Sequence, residues 1–125
     1  MSKRKVLALG VAALAAGLLL GACGRAVQAS GKVSKGPASG DAVKMEARDN
    51  EFRPGVIKAQ AGEEVTVEVT NRGGSDHNFV IATLDISTGT LKPDEVATAT
   101  FVMPDSSTEF VCTFHGGMKG DLQPA

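Results

Sequence analysis

The chain has 125 residues, enough for one domain, and a formal net charge of −1. That total hides an uneven distribution, because residues 42–125 carry seven Lys and Arg against thirteen Asp and Glu, a net charge of −6. Such an acidic region argues against nucleic acid as a partner, since it would repel the phosphates. It is compatible with electrostatic steering toward a basic protein.

The first 22 residues are typical of an export signal. Basic residues at positions 3–5 precede an uncharged apolar run at 6–20, which is shorter than the ~20 residues of a membrane span. The Leu-Gly-Ala-Cys sequence ending at Cys23 resembles the bacterial lipobox, which implies cleavage before Cys23 and a lipid on its sulfur. An uncleaved anchor helix and a disulfide between Cys23 and Cys112 are the alternatives. We therefore expect residues 1–22 to be a lipoprotein signal peptide, and the mature protein to lie in the cell envelope on a bacterial membrane.

Residues 23–41 are dominated by small and polar residues and show no hydrophobic periodicity. This composition is typical of a flexible linker. It predicts a lipid-anchored tether that lets a folded domain, residues 42–125, search laterally for a partner while it stays near the membrane.

The predicted elements of this domain are strands. Residues 65–71 alternate valine with threonine or glutamate, and residues 42–48 and 96–103 alternate in the same way. Residues 77–82 contain a continuous apolar run, which predicts a strand buried on both faces. The seven predicted strands are residues 42–48, 56–61, 65–71, 77–82, 96–103, 109–114 and 119–123. Turn signals separate them, so the sequence predicts an all-β, antiparallel β-sandwich with Greek-key connections.

The most informative stretch is residues 110–120, which place Cys112, His115 and Met118 at the spacing Cys-x2-His-x2-Met. Together with the one other histidine, His77, they supply a thiolate, two imidazoles and a thioether. This donor set suits a copper ion that cycles between Cu(I) and Cu(II). Taken singly, each residue is more commonly a core or surface residue. Zinc is the alternative metal, although a thioether ligand does not favour it.

These motifs resemble the cupredoxin family of small blue copper proteins of the plastocyanin and amicyanin kind. His77-Asn78-Phe79 resembles the first ligand segment, and the residues from Cys112 to Met118 resemble the short ligand loop of the amicyanin branch. The resemblance implies a cupredoxin-like sandwich holding one type 1 copper. It also implies that Cys112, His77 and His115 form a near-trigonal plane and that Met118 is a weak axial ligand.

The same resemblance assigns supporting roles to three neighbours. The backbone N–H of Asn78 is expected to point at the Cys112 sulfur, and its side chain to join the ligand loop at Thr113. Phe114 stands where many relatives have proline, so it keeps an N–H that can form a second hydrogen bond to Cys112. On that hypothesis, the reduction potential is higher than in a Phe114→Pro variant.

The function implied is a monomeric carrier of single electrons between membrane-associated redox partners, with an unidentified donor and acceptor. A copper enzyme is disfavoured because a further copper needs histidines of its own, and both histidines are already assigned. The alternative is a copper-binding protein that buffers the metal or delivers it in the cell envelope.

Overall fold

The computed structural model describes residues 31–125 of the chain, so the predicted signal peptide and Cys23 lie outside the described residues. In this range the chain forms ten strands and one short 3-10 helix. In chain order they are β1 Lys32–Lys35, β2 Val43–Arg48, β3 Glu51–Arg53, β4 Val56–Ala59, β5 Glu64–Asn71, β6 Val80–Ile81, the 3-10 helix Ala82–Leu84, β7 Ile86–Ser87, β8 Val96–Val102, β9 Thr108–Val111 and β10 Lys119–Pro124. None of the described residues belongs to a helix with the length and hydropathy needed to cross a bilayer.

The strands form two five-stranded sheets, in the orders β1-β8-β5-β2-β3 and β4-β10-β9-β6-β7. The predicted all-β sandwich is confirmed, but the sheets are mixed rather than antiparallel. β2 runs parallel to β5, and β10 runs parallel to β4. An alternation of period two shows which face of a strand is buried. It does not show whether the neighbouring strand is parallel or antiparallel, so the mixed sheets could not be predicted from the sequence.

The two sheets share one hydrophobic core to which both contribute. On β5 the valines at 65, 67 and 69 are buried while the intervening polar residues are partly exposed, as the alternation predicts. The rings of Phe52, Phe79 and Phe110 pack together with centroid distances of 5.1–5.9 Å. Aromatic contacts of this kind contribute roughly 0.5–1.5 kcal/mol each beyond their buried area.

Residues 77–82 differ from the predicted continuous strand. Only Val80 and Ile81 form β6, and His77 makes an isolated bridge with Leu91. Val80 is half-buried and Ala82 is exposed, so the prediction of burial on both faces is wrong for these two residues. The strand ends at Ile81 because the 3-10 helix turns the chain back into β7, which pairs with β6 in the same sheet.

The predicted flexible linker over residues 23–41 is wrong for Lys32–Lys35. These residues form β1, an edge strand that pairs antiparallel with β8 from Lys32 opposite Thr100 to Lys35 opposite Ala97. The amide of Gly36 then donates to the Val96 carbonyl at 2.8 Å. All four β1 side chains are exposed, so the strand is held through its backbone and leaves no hydrophobic alternation in the sequence.

Candidate metal centre

The candidate ligands come together at one end of the sandwich. His77 lies between β5 and β6, where its amide donates to the Leu91 carbonyl at 3.0 Å and its carbonyl accepts from the Leu91 amide at 2.7 Å. Cys112 follows β9 directly, and Met118 directly precedes β10. The pairing of β9 with β10 brings the two ends of the intervening loop together.

The loop is short and closed by its own backbone. The Cys112 amide donates to the Met118 carbonyl at 3.0 Å, and the Met118 amide donates to the His115 carbonyl at 3.3 Å. Gly117 has a φ of +79°, a left-handed conformation that glycine adopts without strain. This closure places the predicted cysteine, histidine and methionine within a single turn of chain.

Both imidazoles present Nδ1 to the thiol. The Cys112 Sγ lies 3.7 Å from His77 Nδ1 and 3.6 Å from His115 Nδ1. All three ligand atoms lie within 4.8 Å of one another. A metal bound to sulfur at ~2.3 Å and to nitrogen at ~2.0–2.1 Å separates those donors by roughly 3.6–3.8 Å at tetrahedral to trigonal angles. The observed separations therefore fit one ion held by all three groups.

The site is closed to solvent except at one ligand. His77, Cys112 and Met118 are buried, whereas His115 is half-buried. Next to His115, the Phe114 side chain is 50% exposed, and Gly116 and Gly117 are also exposed. A metal here would be shielded from water on most sides, with the His115 edge as its contact with the surface.

Two buried phenylalanines lie close in sequence to the ligands and pack against each other. Phe79 lies two residues after His77, and Phe110 lies two residues before Cys112. Their rings are fully buried, with centroids 5.1 Å apart. Packing between them couples the two segments that carry the histidine and the cysteine, which the chain separates by 35 residues.

The predicted link between Asn78 and Thr113 is present. The Asn78 side-chain amide donates to Thr113 Oγ1 at 2.8 Å, and the Thr113 backbone amide donates to Asn78 Oδ1 at 2.8 Å. This pair joins the segment that carries His77 to the loop that carries Cys112 and His115.

Among the described residues, the hydrogen bonds found at the Cys112 sulfur involve the two histidine rings. None from the backbone N–H of Asn78 or of Phe114 is among them. The expectation that the Phe114 N–H tunes the thiolate stays a prediction, which the reduction potential of Phe114→Pro would test.

Sequence reasoning missed Asp49, which lies in the turn between β2 and β3. Its Oδ1 is 3.1 Å from His77 Nε2, the ring nitrogen that faces away from Cys112. Hydrogen bonds from the Gly74 backbone amide, followed by the His77 side chain, lower the pKa of Asp49. The two residues are 28 positions apart, and no spacing or motif links them.

A family model described as a cupredoxin-like domain matches residues 10–122. The chain belongs to this cupredoxin-like family. Its fold and the positions of His77, Cys112, His115 and Met118 are those expected of a cupredoxin with a type 1 copper ligand set. No curated protein matches the chain in sequence.

Solved structures of similar fold are themselves cupredoxins. Dithionite-reduced auracyanin from the photosynthetic bacterium Roseiflexus castenholzii has a TM-score of 0.59 at 20% identity, covering 70% of this chain and 99% of that one. A reduced Cu(I) form of an amicyanin mutant has a TM-score of 0.60 at 18% identity, covering 76% and 98%. Amicyanin from Paracoccus versutus has a TM-score of 0.56 at 18% identity, covering 75% and 98%.

The donor set of this cupredoxin fits a single copper ion. A thiolate and a thioether are soft donors that suit Cu(I), and imidazoles suit both oxidation states. Each of the three groups brought together offers one ligand atom. Cys112 is a free cysteine among the described residues, so its sulfur is available to a metal.

Asn71 organises the cupredoxin loop that precedes His77. Its buried side chain donates to the carbonyls of Ser75 and Leu91 at 2.8 and 2.7 Å and accepts from the Gly73 amide at 2.8 Å. Since Leu91 bridges His77, Asn71 ties the end of β5 to the histidine. No side-chain nitrogen or oxygen buried within residues 31–125 lacks a hydrogen-bond partner.

Proposed function

We propose that this cupredoxin binds one type 1 copper and carries single electrons between redox partners in the cell envelope. The observation that carries the proposal is the buried Cys112 sulfur, with the Nδ1 atoms of His77 and His115 3.6–3.7 Å away and His115 alone reaching toward solvent. A copper ion there would supply the Cu(I)/Cu(II) couple.

The protein contributes ligands that backbone and side-chain hydrogen bonds hold in place. Cys112 is held by backbone pairing to Met118, His77 by its bridge to Leu91, and the loop by Thr113. Ligands that do not move between oxidation states keep the reorganisation cost of electron transfer low. A thiolate, two imidazoles and a thioether would together suit both oxidation states of copper.

Electrons would enter and leave at the His115 edge. Phe114 is the most exposed large hydrophobic side chain in residues 31–125, and it adjoins His115 in sequence. A small apolar surface around the histidine would let a partner approach closely without binding tightly. The net charge of −6 over residues 42–125 favours a basic partner, donor or acceptor.

The location in the envelope rests on the sequence around Cys23. With β1 docked, eight residues, 24–31, separate Cys23 from the first strand. At ~3.3 Å per residue they reach at most ~26 Å, less than half the reach of an 18-residue linker. A lipid on Cys23 would therefore hold the domain close to the membrane.

The direction of β1 indicates which end of the domain would face the membrane. Lys32 pairs with Thr100 and Lys35 with Ala97, so β1 runs toward the end of β8 that adjoins Asn71 and the metal centre. Traced backward, the strand leads away from that centre. A membrane anchor preceding β1 would thus leave the His115 edge turned toward partners on the side opposite the bilayer.

The competing function is copper buffering or delivery. The solvent-facing position of His115 gives a copper acceptor a ligand to approach, and this feature favours delivery. The buried Cys112 opposes it, because a carrier retains its metal while a delivery protein releases it. An enzyme is disfavoured since both histidines of the chain are used in one site.

The first test is a visible and electron-paramagnetic-resonance spectrum of residues 31–125 loaded with Cu(II), next to the Cys112→Ser variant. We expect an intense thiolate charge-transfer band and small copper hyperfine splitting, both lost in Cys112→Ser. A pale spectrum that the substitution leaves unchanged would refute the type 1 site. Fast electron self-exchange with slow loss of Cu(I) to a chelator would distinguish a carrier from a delivery protein.

A further inference from the structure

The buried histidine His77 has both ring nitrogens accounted for. Its Nδ1 lies 3.7 Å from the Cys112 sulfur, and its Nε2 lies 3.1 Å from Asp49 Oδ1. A nitrogen that ligates a metal must be unprotonated, so the ring hydrogen of the neutral imidazole belongs on Nε2. A carboxylate accepts and does not donate, which makes Nε2–H the donor to Asp49.

Asp49 is itself held in place from the opposite side. The Gly74 backbone amide donates to Asp49 Oδ1 and Oδ2 at 3.2 and 3.1 Å, and the Ser75 amide donates to Oδ1 at 3.4 Å. The carboxylate therefore spans the β2–β3 turn and the loop before His77. Its position is determined by the backbone even though 54% of its side chain is exposed.

Gly73 provides the space that this contact needs. A Cβ at position 73 would collide with Asp49 Oδ1 and would lie 2.7 Å from His77 Nε2. The requirement is for space rather than for an unusual backbone conformation, since the φ of Gly73 is not positive. A glycine next to the carboxylate and the imidazole is thus a second observation that the two groups are built to meet.

We propose that Asp49 is a positioning residue for His77, holding Nε2–H so that Nδ1 faces the metal and stabilising Cu(II) relative to Cu(I) through its negative charge. The inference rests on the proposed copper function. A carboxylate behind a ligating histidine orients the ring and raises its basicity. A negative charge near the ion favours the more highly charged oxidation state, and solvent around the exposed part of Asp49 reduces that effect.

Three variants separate the effect of Asp49 on the orientation of the His77 ring from the effect of its negative charge. Asp49→Asn keeps an oxygen that can accept from Nε2–H and removes the charge, whereas Asp49→Ala removes both. Glu51→Gln is the matched control, since Glu51 lies in the same hairpin and pairs with Arg53 at 2.6 Å rather than with His77. All three are first compared with the unsubstituted domain by amide NMR to establish that they fold.

The expected results differ between the variants. Losing such a partner costs about 10- to 100-fold in metal affinity, and the exposure of Asp49 places the loss of Cu(II) affinity nearer tenfold. A tenfold change borne by Cu(II) alone raises the reduction potential by about 59 mV. We expect this rise in both Asp49 variants and not in Glu51→Gln, and weaker Cu(II) binding in Asp49→Ala than in Asp49→Asn.

A readout that needs no metal completes the test. In the copper-free domain, nitrogen NMR of His77 should show a single tautomer protonated at Nε2 in the unsubstituted and Asp49→Asn proteins, and a mixture in Asp49→Ala. An unchanged tautomer in Asp49→Ala, with potentials equal to that of Glu51→Gln, would overturn the inference. Failure to form a blue site in the unsubstituted protein would refute the copper function, while the tautomer measurement would still decide the role of Asp49.

Discussion

Asn78 and Thr113 form two reciprocal hydrogen bonds, each 2.8 Å long, between residues 35 positions apart in the chain. One bond uses the threonine hydroxyl and the other its backbone amide. Because Asn78 follows His77 and Thr113 follows Cys112, the pair holds two predicted copper ligands in fixed relation. This contact links the two ligand segments directly.

Asn78→Ala removes both bonds, and Thr113→Val removes only the one to the hydroxyl. We expect the free energy of unfolding of the copper-free domain to fall by about 1–3 kcal/mol in Asn78→Ala and by less in Thr113→Val. Loss of Cu(I) to a chelator should accelerate in the same order. Urea denaturation and stopped-flow absorbance provide the two measurements. Equal effects of the two variants would mean that the Asn78 bond to the Thr113 backbone contributes little.

Phe114 is expected to serve contact with partners, because it is 50% exposed and lies next to His115. Phe114→Ser should slow electron self-exchange by roughly tenfold or more, since it removes apolar contact area beside His115. The reduction potential should stay within a few tens of mV of the unsubstituted value, as the charge near the site is unchanged. Val56→Ser is the control, being 40% exposed on β4. Slowing of similar size in Val56→Ser would contradict this role.

The docking of β1 predicts that the folded domain includes Lys32–Lys35. A protein starting at residue 42 lacks the β1–β8 pairing and exposes the edge of β8, so its free energy of unfolding should be lower by roughly 1–3 kcal/mol. Urea denaturation of proteins starting at residues 31 and 42 gives this difference directly. Identical free energies of unfolding of the two proteins would support the prediction that residues 31–41 belong to a flexible linker.

Glu68 connects the segment after β1 to the sheet. Hydrogen bonds from Lys44, at 2.7 Å, and from the Ala38 backbone amide, at 2.9 Å, lower the pKa of Glu68 from its ordinary 4.5. A lowered pKa in the folded state means that the carboxylate adds stability above pH 4.5, and that this contribution disappears as the pH falls through the lower folded value.

Glu68→Gln should therefore be less stable than the unsubstituted domain at pH 7, and the difference should shrink as the pH falls below 4.5. Glu64→Gln, an exposed substitution on the same strand, is the control and should show a smaller difference at pH 7. The measurement is the free energy of unfolding in urea from pH 7 to pH 3. If the difference in free energy of unfolding between Glu68→Gln and the unsubstituted domain instead increased as the pH fell, the proposed stabilisation by the Glu68 carboxylate would be contradicted.

The lipid at Cys23 remains a prediction of the sequence. In the full chain expressed in a bacterium, Cys23→Ser should move the protein from the membrane fraction to the soluble envelope fraction, because one lipid-modified residue is its proposed anchor. Immunoblotting of the fractions, with mass spectrometry for the lipid, tests this. Continued membrane association of Cys23→Ser would favour an uncleaved apolar anchor.

Much of the candidate site could be predicted because its information is local. Cys112, His115 and Met118 lie within seven residues, and a short loop between two strands brings them together in any closed conformation. His77 was identifiable since the chain has one other histidine. The alternation of valines in residues 65–71 likewise predicted a half-buried strand, because side chains of a strand point to opposite faces in turn.

The sequence by itself therefore determined the all-β class, the ligand loop and the identity of the donors, all of which follow from spacing along the chain. Only the tertiary structure decided that β2 and β5 are parallel, that Lys32–Lys35 joins the sheet, and that Asp49 meets His77. These features depend on backbone pairing and on contacts between distant segments, which leave no periodic pattern. Long-range packing, rather than local propensity, determines that the turn carrying Asp49 contacts the buried His77.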